Sequence, residues 1–190
     1  MFRKTFLTTS TALALGLAAP GIATSQSDTG NPMVGGAAMF PDKTIVENAV
    51  NSADHQTLVA AVTAAGLAET LSGEGPFTVF APTDAAFEML QGGTVETLLM
   101  PENKDQLVEV LTCHVVAANA MSDAIMTMVD DDGGAHDVET LGGCTLEASY
   151  NMGTLMLTDE RGRTASVTIA DVRQSNGVIH VIDKVMLPAM

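Results

Sequence analysis

Tryptophan is absent from this 190-residue chain, tyrosine occurs once and phenylalanine six times. So few rings leave no platform on which sugars or bases could stack. Basic residues are scarce as well: eight Lys and Arg stand against 23 Asp and Glu, for a formal net charge of −15. A surface of that sign repels phosphate backbones, so nucleic acid is not an expected partner, and anionic lipid surfaces are disfavoured for the same reason. No run reaches the ~20 apolar residues that a bilayer-spanning helix needs, and the chain is not expected to be membrane-embedded. The signatures of common chemistries are also missing. There is no GxSxG, P-loop, dinucleotide fingerprint or paired-carboxylate arrangement. The expectation is a non-enzymatic protein without a cofactor.

What is present describes a globular domain: 46% of residues are hydrophobic and 16% charged, ordinary values for a packed core. Its length suits one domain with short tails. Arg3 and Lys4 precede an apolar or small-residue run from Phe6 to Ala19, and Gly21-Ile22-Ala23 offers small residues to a signal peptidase. Residues 1–23 therefore read as a secretory signal peptide, which places the mature protein outside the cytoplasm, extracellular or periplasmic. Residues 24–40 are dominated by Ser, Gly, Asn and Pro and read as a flexible leader. The domain is expected over 41–190.

Within it the hydrophobic period changes once. Ile45, Val46, Ala49 and Val50 share a helical face, and Leu58, Val62 and Ala65 repeat it up to Gly66, a natural helix stop. Phe77–Phe80 is a short β-rich run, after which Thr83 reads as the N-cap of a helix carrying Asp84 and Phe87. Residues 102–112 form another helix, and Ser122 is placed to cap a further one holding Ile125 and Val129. From Leu146 onward apolar residues alternate, with turns at Asn151-Met152-Gly153, at 159–162 and at Asn176-Gly177. Val178–Ile182 is apolar on both faces, as a buried strand is. Helices first and strands second make the fold class α+β.

Two strings and one shorter segment carry a family resemblance. Gly75-Pro76-Phe77-Thr78-Val79-Phe80-Ala81-Pro82-Thr83-Asp84-Ala85-Ala86-Phe87 and Asn176-Gly177-Val178-Ile179-His180-Val181-Ile182-Asp183 resemble the two signatures of the fasciclin (FAS1) domain. Between them, Leu111-Thr112-Cys113-His114-Val115-Val116 is similar to the segment holding the family's Tyr-His pair, with Cys113 in place of the tyrosine. The resemblance spans roughly residues 42–188. It implies a β-wedge of two small sheets flanked by helices, mainly in the N-terminal half, and secreted or cell-surface placement. It also implies adhesion or binding rather than catalysis, with a cell-surface or matrix protein or glycan as partner. Thr83, Asp84, Asn176, Gly177 and His180 fall on structural motif positions.

The remaining candidates are weighed residue by residue. In an exported protein Cys113 and Cys144 are read as a disulfide, against two free thiols, a Cys-His nucleophile or a metal site. His55, His114, His136 and His180 lack metal-ligand spacing, and satisfied buried imidazoles are preferred to zinc ligands. Taken from Met128, residues Asp130, Asp132, Gly133 and Glu139 fall on the third, fifth, sixth and twelfth positions of a calcium loop. Met128 brings no oxygen to the first position, so a solvated acidic turn is preferred to a weak calcium site. The resemblance also transfers a candidate partner surface. An Asp-Ile pair of animal relatives corresponds to Asp171 and Val172, while His114 retains the histidine of the Tyr-His pair. Against this, Asp171 can cap a turn and Val172 can fill the core, and Arg173 stands where an apolar residue is expected. The leading expectation is adhesion at a cell surface, matrix or envelope; the alternative is a binding protein for a small apolar ligand.

Overall fold

The computed structural model describes residues 30–189. The proposed signal peptide and residues 24–29 lie outside them. The first described segment differs from the flexible leader expected there. Strands β1 (Met33–Val34) and β2 (Ala37–Ala38) pair as a small hairpin, and Val34 and Met39 bury their side chains. Asn48, itself buried, clamps the exit by accepting from the Phe40 amide and donating to the Phe40 carbonyl. Two buried apolar side chains and this clamp outweigh the loop-like composition. Residues 33–40 are therefore part of the packed structure.

Helices α1 (Ile45–Ala49), α2 (Gln56–Ala65) and α3 (Ala68–Ser72) follow. Thr44 and Glu47 close a capping box on α1, and α2 stops at Gly66, whose left-handed φ of 78° suits a residue without a side chain. Strand β3 (Phe77–Pro82) leads into α4 (Asp84–Glu88), where Thr83 accepts from the Ala86 amide as its N-cap. Short α5 (Thr94–Leu98), a 3-10 turn and α6 (Lys104–Thr112) precede strand β4 (Val115–Val116) and helix α7 (Ser122–Asp131). The chain then runs through β5 (Ala135–Glu139), β6 (Thr145–Asn151), β7 (Thr154–Thr158), β8 (Thr164–Gln174) and β9 (Gly177–Ile182).

The strands hydrogen-bond in the order β4-β3-β9-β8-β7-β6-β5. Long β8 belongs to two sheets: its first residues pair with β7, and residues from Val167 onward pair with β9 across register shifts. Among the described strands only β3 and β9 are parallel. Their close approach requires Gly177, where an added Cβ would lie 2.0 Å from the Phe77 carbonyl oxygen. The two faces of this central pair hold two cores. Val79, Ala81, Ile179 and Val181 face the helical layer of α1, α2 and α6, whereas Phe80 and Ile182 pack with Ile125, Leu146 and Leu157 against α7 and the other sheet. Both strands are consequently buried on both sides, which explains sequences that are apolar except at Thr78 and His180.

Candidate functional site

The motif residues lie where helices meet the central strands, and they act on backbone. The Asp84 carboxylate accepts from the Gln56 and Thr57 amides, so it caps α2 rather than its own helix. Asn176 accepts from the Ile45 amide at the start of α1 and donates to the Leu71 and Gly73 carbonyls. Asp171 accepts from the amide and hydroxyl of Ser122. Ser122, expected to be the cap of α7, is thus its first residue, and the cap comes from β8. Asp171 holds a left-handed φ of 58° to reach it.

These placements correct the candidate partner surface. Val172 is fully buried and His114 is 2% exposed, so neither presents a side chain to a partner, and the Asp171 carboxylate is committed to α7. Val172 turns inward because the register shift between Ile169 and Val172 reverses the alternation of β8 and points this position into the helical core. The calcium-loop residues also stay apart. Asp130 sits in the last turn of α7 and Asp132 just beyond it, where its carboxylate meets His136 Nδ1, while Glu139 ends exposed β5. No group of three or more His, Cys, Asp or Glu suited to a metal occurs among the described residues.

Two of the three buried histidines, His114 and His180, are satisfied by backbone. His114 Nδ1 donates to the Val110 carbonyl (2.7 Å) and Nε2 accepts from the Met186 amide (2.9 Å). His180 donates from Nε2 to Ala120 and accepts at Nδ1 from the Asp171 amide, with its ring stacked on Phe80. Each imidazole must be neutral to accept. Burial, the largest influence, lowers the His114 pKa to about 4, and His180 is also lowered. His55 is lowered by burial too; Nδ1 meets Ser52 Oγ, and the nearby Ala81 carbonyl partly offsets the shift without completing a regular hydrogen bond to Nε2. A second buried polar hub is Asp159. Burial raises its pKa, but the Leu187 and Arg163 amides and the Arg163 guanidinium outweigh that and hold it lowered. Cys113 and Cys144 are joined, linking the end of α6 to the start of β6.

The sequence reading missed an apolar cleft between α1 and α2, floored by Val79 and Val115. Its cavity is about 70 Å³ within a wider cleft of about 580 Å³ that includes the open mouth. Val46, Val50 and Val59 edge it, and Val50 is 55% exposed. Two polar residues line it, and both are satisfied: the Thr63 hydroxyl donates to Val59, and His114 is bonded as described.

With this geometry in view, the comparisons with known proteins identify the class. The fasciclin domain profile matches residues 53–188, and the chain belongs to the fasciclin (FAS1) domain family. It is 44% identical over 180 residues to protein sll1483 of Synechocystis, covering 95% of this chain and 93% of that protein. It is 31% identical over 169 residues to the cell surface glycolipoprotein MPT83 of Mycobacterium tuberculosis, covering 86% and 68%. Among solved structures it is similar to the FAS1 domain pair of the insect cell adhesion molecule fasciclin I, with a TM-score of 0.69 at 18% identity, covering 77% of this chain and 51% of that one. That likeness gives the fold: helices flanking two sheets. Membership of this family supports a general adhesion or binding role. No described helix is long and apolar enough to cross a membrane.

Proposed function

We propose that the domain mediates adhesion at a cell surface, matrix or envelope by binding a protein or glycan partner through its exposed surface. The observation carrying this reading is the relationship to MPT83, a cell surface glycolipoprotein that matches over 86% of this chain. The internal commitment of Asp84, Asp171, Asn176, His114 and His180 supports it, since these motif residues hold helices to strands and leave recognition to the exterior. The test is retention of whole-cell and matrix fractions on the immobilised exported protein. Saturable retention above that of an unrelated protein of equal net charge is expected, and retention no greater than that control would refute the reading.

A second reading, binding of a small apolar ligand, is favoured by one observation: the cleft beside Val50 is apolar and open. Thermal stabilisation by small hydrophobic probes tests it, and loss of that stabilisation in Val59→Glu assigns it to the cleft.

A further inference from the structure

We propose that the cleft between α1 and α2 takes the end of an unbranched alkyl chain whose head group is uncharged or cationic. This rests on the apolar-ligand reading and names its ligand class. The lining sets the first part. Eleven of its thirteen residues are apolar, and the Thr63 hydroxyl and His114 imidazole already have backbone partners. A ligand group needing a hydrogen bond would enter unsatisfied, which disfavours it. Hydrocarbon has no such need. The small cavity, about 70 Å³, sets the second part, because it has room only for a chain end and leaves the remainder along the open mouth between Val46, Val50 and Val59.

Charge sets the third part. Residues 44–103, which supply α1, α2 and most of the lining, contain eight Asp and Glu and no Lys or Arg; Lys43, just before them, lies over the Phe40 ring and does not line the cleft. Lys104 approaches the far end of α2, where its Nζ would lie 3.5 Å from a Cβ added at Gly66, but it does not line the cleft. A carboxylate or phosphate head at the mouth would therefore find no cation in the lining of a strongly acidic protein, whereas a quaternary ammonium or sugar head would not be repelled.

The experiment titrates the intact exported protein by calorimetry, below micellar concentrations, with alkyl maltosides, alkyl trimethylammonium salts and fatty-acid anions of matched chain length. Single-site binding of the first two is expected, tightening about fourfold per added methylene until the cleft is filled. Laurate should bind at least about tenfold more weakly at low salt, with the gap narrowing as salt rises. Val50→Asp, at a 55% exposed position, should weaken maltoside binding at least about tenfold, with an unchanged melting temperature confirming that it folds. Affinity independent of chain length, laurate binding as tightly as the other two, or Val50→Asp binding normally would each overturn the proposal. If a compact probe such as cyclohexane binds and no alkyl chain does, the alkyl inference falls while the apolar-ligand reading survives. If no apolar probe binds, both fall.

Discussion

Acidification should destabilise this domain through its buried imidazoles, and His114 allows the size of the effect to be worked out. Its pKa is about 4 in the fold against an ordinary 6.5, because protonation would aim a second N–H at the Met186 amide in a site without solvent. Above pH 6.5 folded and unfolded chains both carry neutral imidazole, and stability is complete. As pH falls below 6.5 the unfolded chain binds the proton and the folded one does not, so stability is lost until the folded pKa is reached. The loss from this group is about 2 kcal/mol at pH 5 and approaches about 3 kcal/mol below pH 4. For a domain of this size, the pH 5 value corresponds to a fall of roughly 4–8 °C in melting temperature. Protonation of carboxylates at lower pH relieves the repulsion of a −15 chain, so the reading must be differential. His114→Gln retains one donor and one acceptor for Val110 and Met186 but does not titrate. Wild type should lose about 2 kcal/mol more than His114→Gln between pH 7.5 and 5 in urea unfolding. Parallel stability profiles for the two proteins, or an NMR titration placing His114 near 6.5, would refute the reasoning.

Further outcomes follow from contacts described above. Asp171→Ala removes the cap of α7 and puts a β-substituted residue without a compensating side chain at a left-handed φ; it should cost about 1–3 kcal/mol, and Asp171→Asn less, in chemical denaturation. Asp84→Ala should cost about 1–2 kcal/mol through α2, with lost amide protection at Gln56 and Thr57 in hydrogen exchange locating the damage. Joint replacement of Cys113 and Cys144 by Ser, across a separation of 31 residues, should lower stability by roughly 3–4 kcal/mol, and an unchanged denaturation midpoint would contradict this. Val34→Asp should detach the N-terminal hairpin, seen as proteolytic cleavage before residue 41 with the remaining domain still folded.

Elements with at least two turns of periodicity, or with clean alternation, were legible in the sequence: α2, α6, α7 and β6 to β9 lie where the pattern places them. Those that it did not reveal are short. Helices α3 and α5 have five residues each, and β1, β2 and β4 have two, too few for a period to show. Their stability comes from tertiary burial, as Val34 illustrates. The motif residues were legible as structural, but their targets were not. Asp84 and Asp171 look like local caps, yet each reaches a helix at least 27 residues away in sequence, and only the folded topology brings the partners together. The cleft was hidden for another reason: Val46, Val50, Leu58 and Val62, which line it, read as core-facing positions of amphipathic helices, and nothing in a linear pattern tells an apolar face that is covered from one left open.

The parallel pairing of β3 with β9 has a consequence for when this protein can fold. Phe77 is in register with Gly177 and Pro82 with Ile182, so the strand dividing the two cores waits for a neighbour synthesised a hundred residues later. Until that last strand emerges, Val79 and Phe80 lack their partners Ile179 and His180, and neither face of β3 can be sealed. Non-local closure of this kind slows folding. A nascent chain would then stay unfolded for most of its synthesis, the condition in which a polypeptide can be threaded through a secretion channel. The same register makes the C-terminal strand the last step of assembly: a chain ending before residue 177 should remain open, however complete its helices.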